Sequence, residues 1–107
     1  MQLTLKDRNA LHAAYISSFK DGGLFSVTSR EYALGDELYV LLSLPDDPQR
    51  YAIAGIVAWI TPANAPHGRS QGVGIRFPTD ASAAAIKRKI EGILGDMLGS
   101  DRRNQTI

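Results

Sequence analysis

Residues 51–60, Tyr-Ala-Ile-Ala-Gly-Ile-Val-Ala-Trp-Ile, carry apolar side chains at both odd and even positions. Side chains of a strand alternate between the two faces of its sheet, so Ile53, Val57 and Trp59 share one face while Ala54, Ile56, Ala58 and Ile60 share the other. One face must meet the core, and the other requires a helix or a partner protein over it. The longest apolar run, Ala52 to Ile60, covers nine residues. A membrane helix needs ~20, so the run reads as a strand and no membrane insertion is expected.

Neighbouring segments supply strands to pair with it. Gln2–Lys6 sets Leu3 and Leu5 on one face, and Leu24–Thr28 also alternates. In the stretch 38–44, Leu38, Val40, Leu42 and Leu44 fall on one side, with Tyr39 on the other. Pro45-Asp-Asp-Pro48 is turn chemistry that joins this strand to residues 50–60 as a hairpin. Gly-Val-Gly-Ile-Arg-Phe at 72–77 puts Val73, Ile75 and Phe77 on one face and forms the last strand. Ala10–Ser18 fits a strand or a helical turn by pattern; Tyr15, Ile16 and the return into Lys20-Asp-Gly-Gly23 favour a strand followed by a turn. Thr61–Gln71, with two prolines and a glycine, is a loop.

From Asp80 the period changes. Ile86, Ile90, Ile93, Leu94, Met97 and Leu98 recur at helical spacing and form one apolar stripe. Thr79 or Asp80 can cap the start of this helix and Gly99 its end. One domain over residues 1–99 is expected, mainly β with a C-terminal α-helix, followed by a frayed tail at 100–107.

Composition removes several classes of function. With no cysteine there is no thiol chemistry, and the chain fits a reducing compartment, taken to be the cytoplasm. His12 and His67 lie far apart without a second ligand at metal-binding spacing, so no metal or cofactor is expected. Nucleophile motifs are absent and the carboxylates sit mostly in turns, so the chain reads as a non-enzyme. Twelve Lys and Arg against eleven Asp and Glu give a formal charge of +1, too balanced for a dedicated nucleic-acid binder.

Taken together, Lys20-Asp-Gly-Gly-Leu-Phe-Ser-Val-Thr28, the hairpin, Trp59-Ile-Thr-Pro62 and the Gly72–Phe77 strand before a helix resemble the PilZ domain family, specifically its small type IV pilus assembly branch. The resemblance implies a six-stranded β-barrel followed by a helix. Members that bind cyclic di-GMP carry R-x-x-x-R and [D/N]-x-S-x-x-G, whose arginines fork onto phosphates and stack on guanine. No two arginines here are four apart; the nearest approach is Arg8 with His12. Aligning the second motif on Gly22 or Gly23 puts Ser17 and Phe19, or Ser18 and Lys20, at its polar positions. Gly22 and Gly23 then keep the bend of the family without its ligand-binding groups.

The resemblance therefore implies a non-enzymatic adaptor in type IV pilus assembly and twitching motility, with an EAL/GGDEF-type cyclic di-GMP receptor and the pilus extension ATPase as partners; a monomer is the default expectation. His12, Tyr15, Tyr39 and Trp59 are the candidate partner-binding residues, though the branch commonly has tyrosine where His12 stands. Two rivals are a cyclic di-GMP receptor with an atypical site built on Arg8, Arg30 or Arg69, and a small barrel binding single-stranded nucleic acid. Asp101–Gln105 contains no apolar residue, so a chain ending at Gly99 is expected to melt at the full-length temperature. A large fall in that temperature would show that the tail packs on the domain.

Overall fold

Asp7 decides the first departure from the expected strand pattern. In the computed structural model, which describes residues 1–95, its side chain accepts a hydrogen bond from the Ala10 N–H at 2.8 Å and caps helix α1, Arg8–Ala14. The alanines at 10, 13 and 14 are strong helix formers, and Leu11 and Ala14, three apart, are buried. The strand expected across Ala10–Ser18 is thus a helix followed by a single bridge, Tyr15 to Leu24. The sheet accordingly has five strands and not six.

Those strands are β1 (Gln2–Thr4), β2 (Gly23–Val27), β3 (Glu37–Ser43), β4 (Arg50–Thr61) and β5 (Gly72–Arg76). They lie in the order β1-β3-β4-β5-β2, curled into a half-barrel. β1 runs parallel to β3 and the other pairs are antiparallel. The Met1 ammonium donates to the Tyr39 carbonyl at 2.9 Å, extending the β1–β3 ladder by one residue.

On the inner face, Val40 and Leu42 of β3, Ile53 and Val57 of β4, Val73 and Ile75 of β5 and Leu24 of β2 are all buried. Val40, Val57, Val73 and Ile75 form one cluster, with Met1, Leu3, Tyr32 and Leu38 packed against it. Helix α2, Ala81–Leu94, lays Ala83, Ile86, Ile90 and Leu94 into a second cluster with Leu24, Leu42 and Ile53, as the apolar stripe requires. Asp80 is its N-cap, accepting from Ala83 N–H at 2.8 Å. Gly95, at φ 49°, is its C-cap, so the described helix stops four residues short of Gly99. Met97, Leu98 and the tail at 100–107 lie outside the described residues.

Three polar ties fix α2. Arg8 donates through Nε to the Ile93 carbonyl and through Nη2 to the Leu94 carbonyl, each at 3.0 Å, where a helix C-terminus favours a cation. Tyr15 donates its hydroxyl to Glu91 Oε2 at 2.8 Å; burial, then that carboxylate, push the phenol well above its usual range. Lys89 reaches Asp47 in the β3–β4 turn at 3.1 Å and lies over the Tyr51 ring. The Tyr51 hydroxyl, donating at 2.6 Å, is the main cause that holds the Asp47 carboxyl down at about 2, with the Gln49 N–H and Lys89 adding to it.

Ile90 is fully buried at the centre of the α2 contact. Ile90→Asp loses ~2 kcal/mol of burial and adds an unpaired buried carboxylate, a change comparable with the ~5 to 15 kcal/mol net stability of a domain. Circular dichroism should find the variant unfolded or melting far below the parent. A wild-type urea midpoint would mean that α2 does not complete the core.

Candidate functional site

Between Val57 and Trp59 the β4–β5 register shifts: Val57 pairs with Ile75, whereas Trp59 pairs with Gly74. The extra residue, Ala58, makes a β-bulge and reverses the alternation beyond it. Trp59 therefore leaves the face of Ile53 and Val57, where uninterrupted alternation puts it, and turns to the outer face. Ile60, opposite Val73, turns the other way. Trp59 is 42% exposed, so it is no core residue.

The place that Trp59 occupies depends on glycine. A Cβ on Gly74 would stand 2.9 Å from Trp59 Cβ, which would have to shift, and 3.0 Å from Ile16 Cδ1, which would have to give by a few tenths of an ångström. Ile16 and Phe19, from the segment linking α1 to β2, cover the outer face here, and Phe25 is buried on it. The same packing explains the Gly22-Gly23 turn. Gly22 adopts φ +77°, and a Cβ on Gly23 would meet the Ile75 carbonyl and the Phe19 ring, each at 2.6 Å. These glycines serve chain direction and close packing.

Beyond that cover the outer face is open. Tyr39, 80% exposed, pairs with the exposed Ala54, and Ile56 lies on the same face toward Trp59. The Trp59 indole donates through Nε1 to Thr61 Oγ1 at 2.9 Å, which orients the ring. Trp59 also lines a bowl of about 320 Å³ with Ile60 and Pro62 of the strand end and Ala65, Pro66, His67 and Arg69 of the loop. An adjoining cleft of about 360 Å³ contains Arg30, Glu31 and Tyr32 and shares Ile60, Thr61 and Pro62 with it.

Of the four candidate residues, the fold places Tyr39 and Trp59 on one face, with Tyr39 opposite Ala54, five residues along β4 from Trp59. Tyr15 does not join them: only 2% of it is exposed, and its hydroxyl is held by Glu91 beside α2. His12 stands on α1 and is partly buried, since helical spacing replaces the strand parity that would have exposed it. The sequence reading missed Ile16 and Phe19 as cover and the loop prolines as walls. The paired small residues of Gly72-Val-Gly74 were the available signal, because a glycine in a strand marks a close approach.

The arginines that could replace a missing phosphate site are dispersed. Arg8 is held by α2 carbonyls, Arg30 lines one cleft and Arg69 the other. Among the described residues no cluster of three or more His, Asp or Glu is placed to hold a metal, and no helix is long and apolar enough to cross a membrane.

Because Trp59 lies on the outer face, Trp59→Ala should cost the isolated domain only about 1 to 2 kcal/mol in urea unfolding, below the ~3 to 5 kcal/mol of a fully buried aromatic. A loss in the upper range would return Trp59 to the core. Compared with known families, residues 1–95 match the model described as PilZ domain. No curated protein matches the chain.

Proposed function

Because the chain belongs to the PilZ domain family, whose members are non-enzymatic binding domains that generally take cyclic di-GMP, we propose that it is an adaptor acting through protein contacts and not itself binding the dinucleotide. Its setting is type IV pilus assembly and twitching motility, in the cytoplasm and as a monomer. Its partners are an EAL/GGDEF-type cyclic di-GMP receptor and the pilus extension ATPase.

The observation that carries this proposal is the outward presentation of both Trp59 and Tyr39, which lies opposite Ala54 five residues along β4 from Trp59, on a sheet face that nothing else in the described chain covers at Tyr39 and Ala54. Aromatic side chains held rigidly at a surface are the common anchors of protein interfaces. The missing arginine pair supports the second half of the proposal. Arg8, the best-placed guanidinium by resemblance, has Nε and Nη2 engaged at the end of α2, and a ligand would have to compete with two main-chain carbonyls for them.

One observation favours a second reading, a cyclic di-GMP receptor with an atypical site. Arg30 and Tyr32 both line the cleft beside Thr61, and a guanidinium with an aromatic ring is suitable chemistry for a phosphate and a guanine. Isothermal titration with cyclic di-GMP separates the two. The adaptor gives no saturable heat at concentrations up to about a hundredfold above the low micromolar range. Saturable binding there, lost in Arg30→Ala, would establish the receptor instead.

A further inference from the structure

We infer that the bowl beside Trp59 receives an apolar side chain from an acidic segment of the partner protein. The inference rests on the adaptor proposal and adds the chemistry by which the partner is recognised. Trp59, Ile60, Pro62, Ala65 and Pro66 make the bowl almost wholly apolar, and the polar groups in its lining are Thr61, His67 and Arg69. The Thr61 hydroxyl already accepts the indole N–H. The volume of about 320 Å³ suits one or two large side chains and no extended ligand.

Charge defines the flanks of the guest. From Pro48 to Thr79 the chain carries no Asp or Glu, while Arg50, Arg69 and Arg76 fall within that span. β4, the loop and β5 are all cut from it. Arg76 is exposed two residues beyond Gly74, so it projects on the same face as Trp59. Arg69 lies in the bowl itself. Glu37 is the acidic exception on this face, across Ile56 from Arg76 and on the side away from the bowl. A further carboxylate, Glu31, lies beside Arg30 in the adjoining cleft. Around Trp59 itself a basic segment would meet Arg69 and Arg76, whereas carboxylates flanking an apolar residue would be attracted to both as that residue enters.

The walls are built before any guest arrives. Prolines at 62 and 66 fix the loop backbone, and the indole is held by Thr61 and seated over Gly74. Preorganisation of this kind lowers the ordering cost of binding.

Trp59 is the single tryptophan of the chain, so its emission reports on the bowl directly. Three blocked hexapeptides serve as probes in titrations of the full chain: Glu-Asp-Leu-Phe-Glu-Asp, Lys-Lys-Leu-Phe-Lys-Lys and Glu-Asp-Ser-Ser-Glu-Asp. The first should shift the emission to the blue and saturate, more weakly as salt rises, while the other two leave it unchanged. Arg69→Glu should weaken the first peptide about fivefold, the scale of one exposed ion pair, with an unchanged melting temperature as the control for folding. Equal response to acidic and basic peptides, no response to any, or an Arg69→Glu chain that binds as the parent does would each overturn the inference. Pulldowns of the extension ATPase and the EAL-type receptor keep the two levels apart. Capture of either by a chain whose peptide titration is silent removes the bowl and leaves the adaptor. Peptide binding without capture of either leaves the bowl and removes those partners.

Discussion

A sheet that is apolar on both faces has to be covered twice, and the rest of this structure follows from that requirement. The inner cover has two parts: α2 sets Ala83, Ile86, Ile90 and Leu94 in one cluster with Leu24, Leu42 and Ile53, while Val40, Val57, Val73 and Ile75 form a second, with Met1, Leu3, Tyr32 and Leu38 packed against it. The outer cover is small: Ile16 and Phe19 on the ground prepared by Gly23 and Gly74. It reaches Phe25, stops at Trp59 and leaves Tyr39 and Ala54 to solvent. The outer face thus has a boundary between covered and uncovered sheet. Trp59 stands on it, with its Cβ packed on Gly74 and part of its ring exposed.

Much of this was legible in the sequence because burial imposes a period. The two-residue alternation of Leu38–Leu44 and of Val73–Phe77 identified β3 and β5, and the stripe from Ile86 identified α2. The Pro45–Pro48 turn joined the hairpin as expected. Two features escaped for physical reasons. Ala10–Ser18 is too short for its helical period to outweigh a strand pattern, and what decides it is a local cap, Asp7, joined to packing against α2. The bulge at Ala58 leaves no mark on composition: it is one residue of register, fixed by how β4 meets β5. Because alternation reverses there, strand parity alone puts Trp59 on the wrong face.

Gly22 and Gly23 show how one local feature can serve two chemistries. A glycine turn beside a sheet lets a phosphate approach the backbone, and it equally lets a ring and a carbonyl approach. In this chain the occupants of that space are Phe19 and the Ile75 carbonyl. Arg8 gives a parallel case, since a guanidinium that could fork onto a phosphate forks instead onto the last carbonyls of α2. In both places, groups of a kind that can meet a phosphate make contacts within the domain.

The central claim is that this outer face, with Trp59 at its margin, is where a protein partner docks. Two-dimensional ¹⁵N–¹H spectra of the labelled chain, recorded with and without the unlabelled pilus extension ATPase, test it most directly, because the lone indole N–H of Trp59 gives its own cross-peak. The account predicts that the indole signal and the amides of Tyr39, Ala54, Ile56 and Gly74 shift or broaden first, while those of Ile86 and Ile90 on the buried side of α2 stay in place. Perturbation confined to α1 and α2, with the Trp59 indole unmoved in a complex that demonstrably forms, would contradict it.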